Sequence, residues 1–446
     1  MKNSTLLLVF LICLIKKTNA QVENLSDNTF YTDSSYTVLC NGLFTWKYEN
    51  SQVGEKAYYV NGKIEGDYFL YNEDGKINYK ALYKNGELNG VSTWFYESGP
   101  IHFQSNYLNG QLSGESVYFD LEGNIELRET YLNNQLNGKT TSYYIGGKTK
   151  EIKKYENGLL QGENITYYPS GKLKRVVQYL YNEPNGECTS YFENGNIQNK
   201  TTYKNDEPEG KSYWYFEEGE LSNITNYENG KKSGEFKSFH KNGKVECIGK
   251  NVNGLMEGEW KFFSENGKLE STKNYLNSFQ NGYETSFYSN GKLKSKKMFN
   301  NGEVQGESFI YFKNGTIFEK SVYENNLKKD TVFCYYKNGN IASKEYFSKG
   351  IKQGTSIWLH KNGNIAFKIN FLNNLKQGDF SGNYKSGKQY IMGRFSNDEL
   401  TGEYTILNLD GVKTYQALYK NGIVTSENIN KAKDFEKIEN KKCSTK

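Results

Sequence analysis

Carboxylates recur along this chain at one fixed interval. Asp67, Glu115, Glu163, Glu187, Glu235, Glu259, Glu307, Asp379 and Glu403 belong to a single series of positions 24 residues apart. If each interval is one hairpin, neighbours such as Glu163 and Glu187 sit two strand spacings apart, ~10 Å. That overlaps the upper range for the carboxylate pairs that hydrolyse glycosidic bonds. The plainer expectation is a solvated row that discourages edge pairing, or a shallow row that meets a cation or a partner.

The other reactive side chains form no constellation. Histidine occurs at His102, His240 and His360. The last two share a column but lie five repeats apart, ~48 Å at the usual strand spacing. No histidine pair ligates one metal on this spacing, and no nucleophile stands beside a base. Beyond the first twenty residues the cysteines are Cys40, Cys188, Cys247, Cys334 and Cys443. Their number is odd and their spacing fits no zinc motif, so they read as isolated thiols. Neither a metal nor a cofactor is expected. Trp94, Trp214 and Trp358 occupy one column. Exposed, they would anchor a partner; buried, they would be packing.

The element that positions these side chains is a repeat. Glycine occupies every 24th position from Gly75 to Gly411, and a second glycine series from Gly66 to Gly402 fails only at Asp330. A gapless period of this length means a stacked array of equivalent units. Within Glu235 to Gly258, two strand-like runs flank Asn242-Gly243, the signature of a tight hairpin turn with positive φ at both central residues. Asn253-Gly254 then reads as the start of a longer connection closing at Gly258.

A third turn column, Gly62 to Gly422, holds nine Gly, four Asn, two Asp and one Ser. Those residues tolerate the left-handed backbone. All four prolines, Pro100, Pro169, Pro184 and Pro208, fall in columns read as turns. Three apolar columns alternate with the turns. One begins Tyr71, Phe95, Phe119. The second begins Ile77, Ile101, Ile125, with Thr149 and Gln389 among its exceptions. The third begins Tyr59, Tyr83, Tyr107 and fails only at Asn251. Residues 77 and 83, an even number apart, are expected on one face of their strand.

The predicted fold is all-β: an elongated repeat array with one antiparallel β-hairpin per 24-residue unit, forming a twisted single sheet or superhelix. Residues 59–424 hold about fifteen units. Residues 21–58 form an N-terminal segment and a degenerate capping repeat, which lacks the turn glycine expected at Ser51. Residues 425–446 are a lysine- and glutamate-rich tail, expected to be disordered or a frayed helix.

Residues 1–20 read as a signal peptide: Lys2, the apolar run Leu6 to Ile15, then Thr18-Asn19-Ala20. The run is too short for a stable membrane anchor. The expectation is export, to a periplasmic, cell-surface or extracellular location. Without the leader's three lysines, the basic and acidic residues nearly balance. Only three arginines occur, Arg128, Arg175 and Arg394. With no clustered basic surface, nucleic acid is not an expected partner.

The unit Tyr-x-Asn-Gly-x-x-x-Gly, followed by an aromatic pair, Asn-Gly-Lys and an aliphatic residue, is similar to MORN repeats. It most resembles the bacterial variant with the Asn-Gly-Lys turn. Examples are Tyr107-Leu-Asn-Gly-Gln-Leu-Ser-Gly114 and Tyr335-Tyr-Lys-Asn-Gly-Asn-Ile341. The resemblance implies β-hairpin arrays that contact proteins or lipid surfaces without catalysis. Many bacterial members carry an antitoxin label; for an exported chain that implies an immunity-like role. A second resemblance, in Tyr68-Phe-Leu-Tyr-Asn-Glu-Asp-Gly75, is to choline-binding-type cell-wall repeats. The expected function is an exported, non-enzymatic scaffold for an unknown protein partner. A cell-wall glycan module is the alternative, and a membrane surface remains a further candidate contact.

Overall fold

The computed structural model describes residues 22–24, 29–31 and 39–429. The predicted leader lies outside the described residues. Two compact units divide the chain after Glu220. Both are all-β, with no helix among the described residues. In each, strands pair antiparallel with their sequence neighbours, as in Tyr83↔Gly66 and Tyr83↔Leu88. Among the described residues, Gly42–Lys47 pairs only with Val53–Val60, and Ile423–Ile429 only with Lys413–Lys420.

Two kinds of turn alternate, and the sequence reading had exchanged them. The two-residue turn with positive φ at both places is Asn253-Gly254, at +51° and +88°. It joins Val252 directly to its partner Leu255. The Asn242-Gly243 turn is longer: the His240 amide donates to the Lys244 carbonyl, and the Gly243 amide to the His240 carbonyl. There Gly243 alone is left-handed, at +78°. Asn-Gly marks both turns; the number of unpaired residues between the strands distinguishes them. Gly258 closes no loop. It sits inside strand Leu255–Phe263 at an irregularity of register.

The left-handed columns hold where glycine is replaced. Ser51, Asn134, Ser278 and Asp330 have φ of 68°, 66°, 67° and 60°. The first hairpin therefore turns without its glycine. Pro184 and Pro208 depart from the turn assignment: each is the second residue of a strand. At the tail, Ser426 to Ile429 extend the last strand, paired with Leu418 to Tyr415. They are neither helix nor loop; residues 430–446 lie outside the described residues.

A bulge overturns the expected sharing of a face. Leu70 opposes Tyr79, whereas Tyr71 opposes Ile77, leaving Asn78 as an extra residue. One extra residue reverses the alternation of side chains. Ile77 and Tyr71 therefore lie on one face, and Tyr79, Ala81 and Tyr83 on the other. We call the latter the first face and the former the second.

The first face is where burial concentrates, and its centre is built from small residues. Ser92, Ser116 and Ser212 are almost wholly covered. The Ser116 hydroxyl donates to Ser105 at 2.9 Å, and Thr201 and Ser212 share a 2.6 Å hydrogen bond. Large rings lie over the small neighbours. A Cβ added at Gly249 would fall 2.0 Å from the buried Trp260 ring. At one end Ala57, Tyr59 and Ile64 pack with Phe44, Tyr68 and Tyr83.

Candidate functional site

The carboxylate series lies on the second face, and cations already occupy most of it. Glu115 pairs with Arg128 at 2.9 Å, Glu187 with Lys200 at 3.6 Å and Glu235 with Lys237 at 3.4 Å. Glu259 pairs with Lys261 at 3.3 Å, Glu307 with Lys320 at 2.6 Å and Asp379 with Arg394 at 2.7 Å. Glu163 accepts a hydrogen bond from Gln178. Hydrogen bonds from the Arg394 guanidinium hold the Asp379 carboxyl below its usual range. The Thr189 hydroxyl, aided by Lys200, lowers Glu187. A glycosidase general acid needs the opposite shift, upward by burial. The row is a mixed-charge surface without an acid–base pair.

Two of the three histidines are structural clamps, whereas the His102 ring packs 4.4 Å from Tyr96. At the Asn-Gly-Lys edge, several turns send a tyrosine or histidine side chain to the carbonyl of a residue 23 positions on. The Tyr48 hydroxyl donates to Tyr71, Tyr96 to Phe119, Tyr168 to Tyr191 and Tyr336 to Leu359. His240 and His360 stand in this column, and their Nε2 atoms reach Phe263 and Asn383 at 2.8 Å. Each must carry its proton on Nε2 to do so. The turn asparagine adds a second clamp. Asn242 donates to the Glu265 carbonyl while its own oxygen accepts the Lys244 amide. The Lys244 ammonium then donates to the Asn266 carbonyl. The Asn-Gly-Lys signature is thus a joint between repeats. Sequence reasoning had the column but missed its purpose, because the carbonyl it meets carries no residue identity.

The three tryptophans occupy different settings. Trp94 lies between Tyr79, at 4.3 Å, and Phe103, at 6.3 Å and 13°. Phe103 stacks in turn on Tyr118 at 5.4 Å and 15°. Neighbouring rings flank the Trp94 faces, which makes this residue packing. Trp358 is half-buried, with the Lys352 ammonium 4.9 Å from its ring and Phe371 at 6.5 Å. Trp214 stands opposite Asn199 and remains 38% exposed. Of the three, it offers the most indole to a partner.

No reactive centre emerges elsewhere among the described residues. Cys40, Cys188, Cys247 and Cys334 are buried thiols outside any disulfide; Cys443 lies outside the described residues. Burial pushes the Cys247 thiol up to about 11, aided by Glu246. An open hollow of about 610 Å³ is lined by His240, Glu246, Phe262, Glu265 and Glu270. Its histidine is engaged by Phe263, and Glu246 accepts from Ser238. Among the described residues no group of His, Cys, Asp and Glu could hold a metal ion. Among them no helix is long and apolar enough to cross a membrane.

A family described as "MORN repeat variant" matches residues 64–85, 88–109, 160–181, 184–205, 208–229, 232–250, 256–277 and 280–301. No curated protein matches the chain. Among solved structures, "Crystal Structure of TcdB2-TccC3-Cdc42" is similar at 12% identity and a TM-score of 0.14, covering 89% of this chain and 24% of that one. "Crystal Structure of TcdB2-TccC3 without hypervariable C-terminal region" is similar at 11% and 0.15, covering 87% and 24%. A Photorhabdus luminescens Tc holotoxin pore is similar at 10% and 0.14, covering 87% and 23%. The chain spans about a quarter of the length of these solved chains.

Proposed function

From the premise that eight repeats of this chain between residues 64 and 301 are MORN repeat variants, we propose that it is an exported, non-enzymatic scaffold for a protein partner, in an immunity-like role. One observation carries the reading: the side chains that could do chemistry are committed to the array itself. Most carboxylates of the row pair with neighbouring cations, and the histidines of the clamp column tie one repeat to the next. What such an array offers is a repeated surface, with Trp214 as an exposed aromatic anchor on it. Export rests on the apolar run and small residues of positions 1–20.

Proximity labelling in the native cell, with the leader intact, tests the reading. The expected result is one dominant envelope or secreted protein, whose capture by purified protein falls with Trp214→Ala while the melting temperature holds. Labelling confined to cytoplasmic proteins would defeat export. The exposed Trp214 indole also suits stacking on a sugar ring. Retention on purified cell-wall glycan, lost with the same substitution, would favour the wall module instead.

A further inference from the structure

One column on the first face changes character in the second unit. It reads Ile64, Leu88, Leu112, Leu136, Leu160, Pro184 and Pro208 in the first unit. In three successive later repeats it becomes Lys328, Lys352 and Lys376. Each ammonium lies near a ring of the aromatic column 19 residues on. The distances are 5.9 Å from Lys328 to Phe347, 4.1 Å from Lys352 to Phe371 and 4.9 Å from Lys376 to Phe395.

The first two lysines also hold a carboxylate. Glu319 meets Lys328 at 2.8 Å, and Glu345 meets Lys352 at 2.8 Å, both in half-buried settings. These partners stand nine and seven residues before their lysines. The corresponding places before Lys376 hold Phe367 and Ile369. Lys376 is half-buried like its sisters, yet among the described residues its ammonium meets the Phe395 ring and no carboxylate. Lys232 shares the column but is exposed, so water solvates it. A ring face recovers part of an ammonium's lost hydration. The remainder comes from an opposite charge, as at Lys328 and Lys352.

We propose that Lys376, over Phe395, is a docking point for a carboxylate side chain of the protein partner, presented by an acidic segment lying on the first face. The chain itself shows the complex twice, with Glu319 and Glu345 in the place the partner's group would take. This deepens the scaffold reading and rests on it.

The test is calorimetric titration of the whole protein with a glutamate-rich peptide and with its glutamine counterpart. The glutamate peptide should bind and the glutamine peptide should not. Lys376→Met, which keeps the stem over the ring, should weaken binding ~10-fold, as expected for loss of a charged hydrogen bond. Ile369→Glu, which places a carboxylate where Glu345 stands relative to Lys352, should compete internally and weaken it similarly. Lys368→Met, a control outside the first-face lysine column, should change nothing. Lys376→Met carries the result if Ile369→Glu fails to fold. Equal binding of both peptides, full affinity in Lys376→Met, or displacement of the peptide by an equal concentration of inorganic phosphate would overturn the proposal. Undiminished capture of the cellular partner by Lys376→Met would overturn this docking point and leave the scaffold reading standing.

Discussion

At the scale of single residues, the array records where its rules are obeyed at a cost. Tyr181 takes the first place of a two-residue turn with φ of 52° while its side chain is 65% exposed. Most equivalent positions are asparagine, which tolerates that backbone. Tyr181→Asn should therefore stabilise the protein by ~1 kcal/mol in urea unfolding; a loss of stability would mean the ring makes contacts that outweigh the strain. Gly249 presents the reverse case. A methyl group there meets the Trp260 ring, so Gly249→Ala should destabilise by ~1–3 kcal/mol through overpacking. The buried thiols give a third expectation. With Cys247 pushed up to about 11, its reactive thiolate is scarce at neutral pH. Iodoacetamide should label Cys188, Cys247 and Cys334 only once denaturant opens the sheet, and rapid labelling of the native protein would contradict their burial.

At the scale of strands and turns, period alone made most of the fold legible. Three left-handed columns and three apolar columns, all in one phase, leave no other regular arrangement than stacked hairpins. What the sequence hid is local. Asn242-Gly243 and Asn253-Gly254 are the same dipeptide, and only strand pairing shows which is the two-residue turn. The bulge at Asn78 is silent in a count of even and odd positions, so Ile77 was placed on the wrong face. The buried centre was missed because serine is not read as core, although Ser92, Ser116 and Ser212 keep the same period. At the candidate site, the carboxylate column was visible but its cations were not. Arg128 lies thirteen residues beyond Glu115 in the sequence, stands opposite Val117 in the ladder and reaches Glu115 from the neighbouring strand. The Tyr and His clamps yield a prediction at this scale. His240→Phe keeps a ring but removes the bond to Phe263, and should cost ~1 kcal/mol of stability; an unchanged unfolding midpoint would show the clamp to be idle.

For the molecule as a whole, the contacts that hold a unit are those it makes with its neighbours. Removing residues 255–302, two complete periods inside the second unit, should leave every turn and ladder in phase. The shortened protein should keep its β-type circular dichroism and show a smaller urea m-value, since less surface is exposed on unfolding. Removing 36 residues, one and a half periods, would set unlike strands side by side; it should give an aggregated or unfolded product. Equal tolerance of both deletions would mean that the phase is not what holds the sheet together.

The joint between repeats, Tyr or His to a carbonyl 23 positions on, has a genetic corollary. Seams that carry this joint are nearly interchangeable with one another. A misaligned exchange between two copies of the coding sequence would yield one longer and one shorter descendant, each with sound seams throughout. Reach toward a target could thus be adjusted within few generations, while the grip of each module stayed as it was.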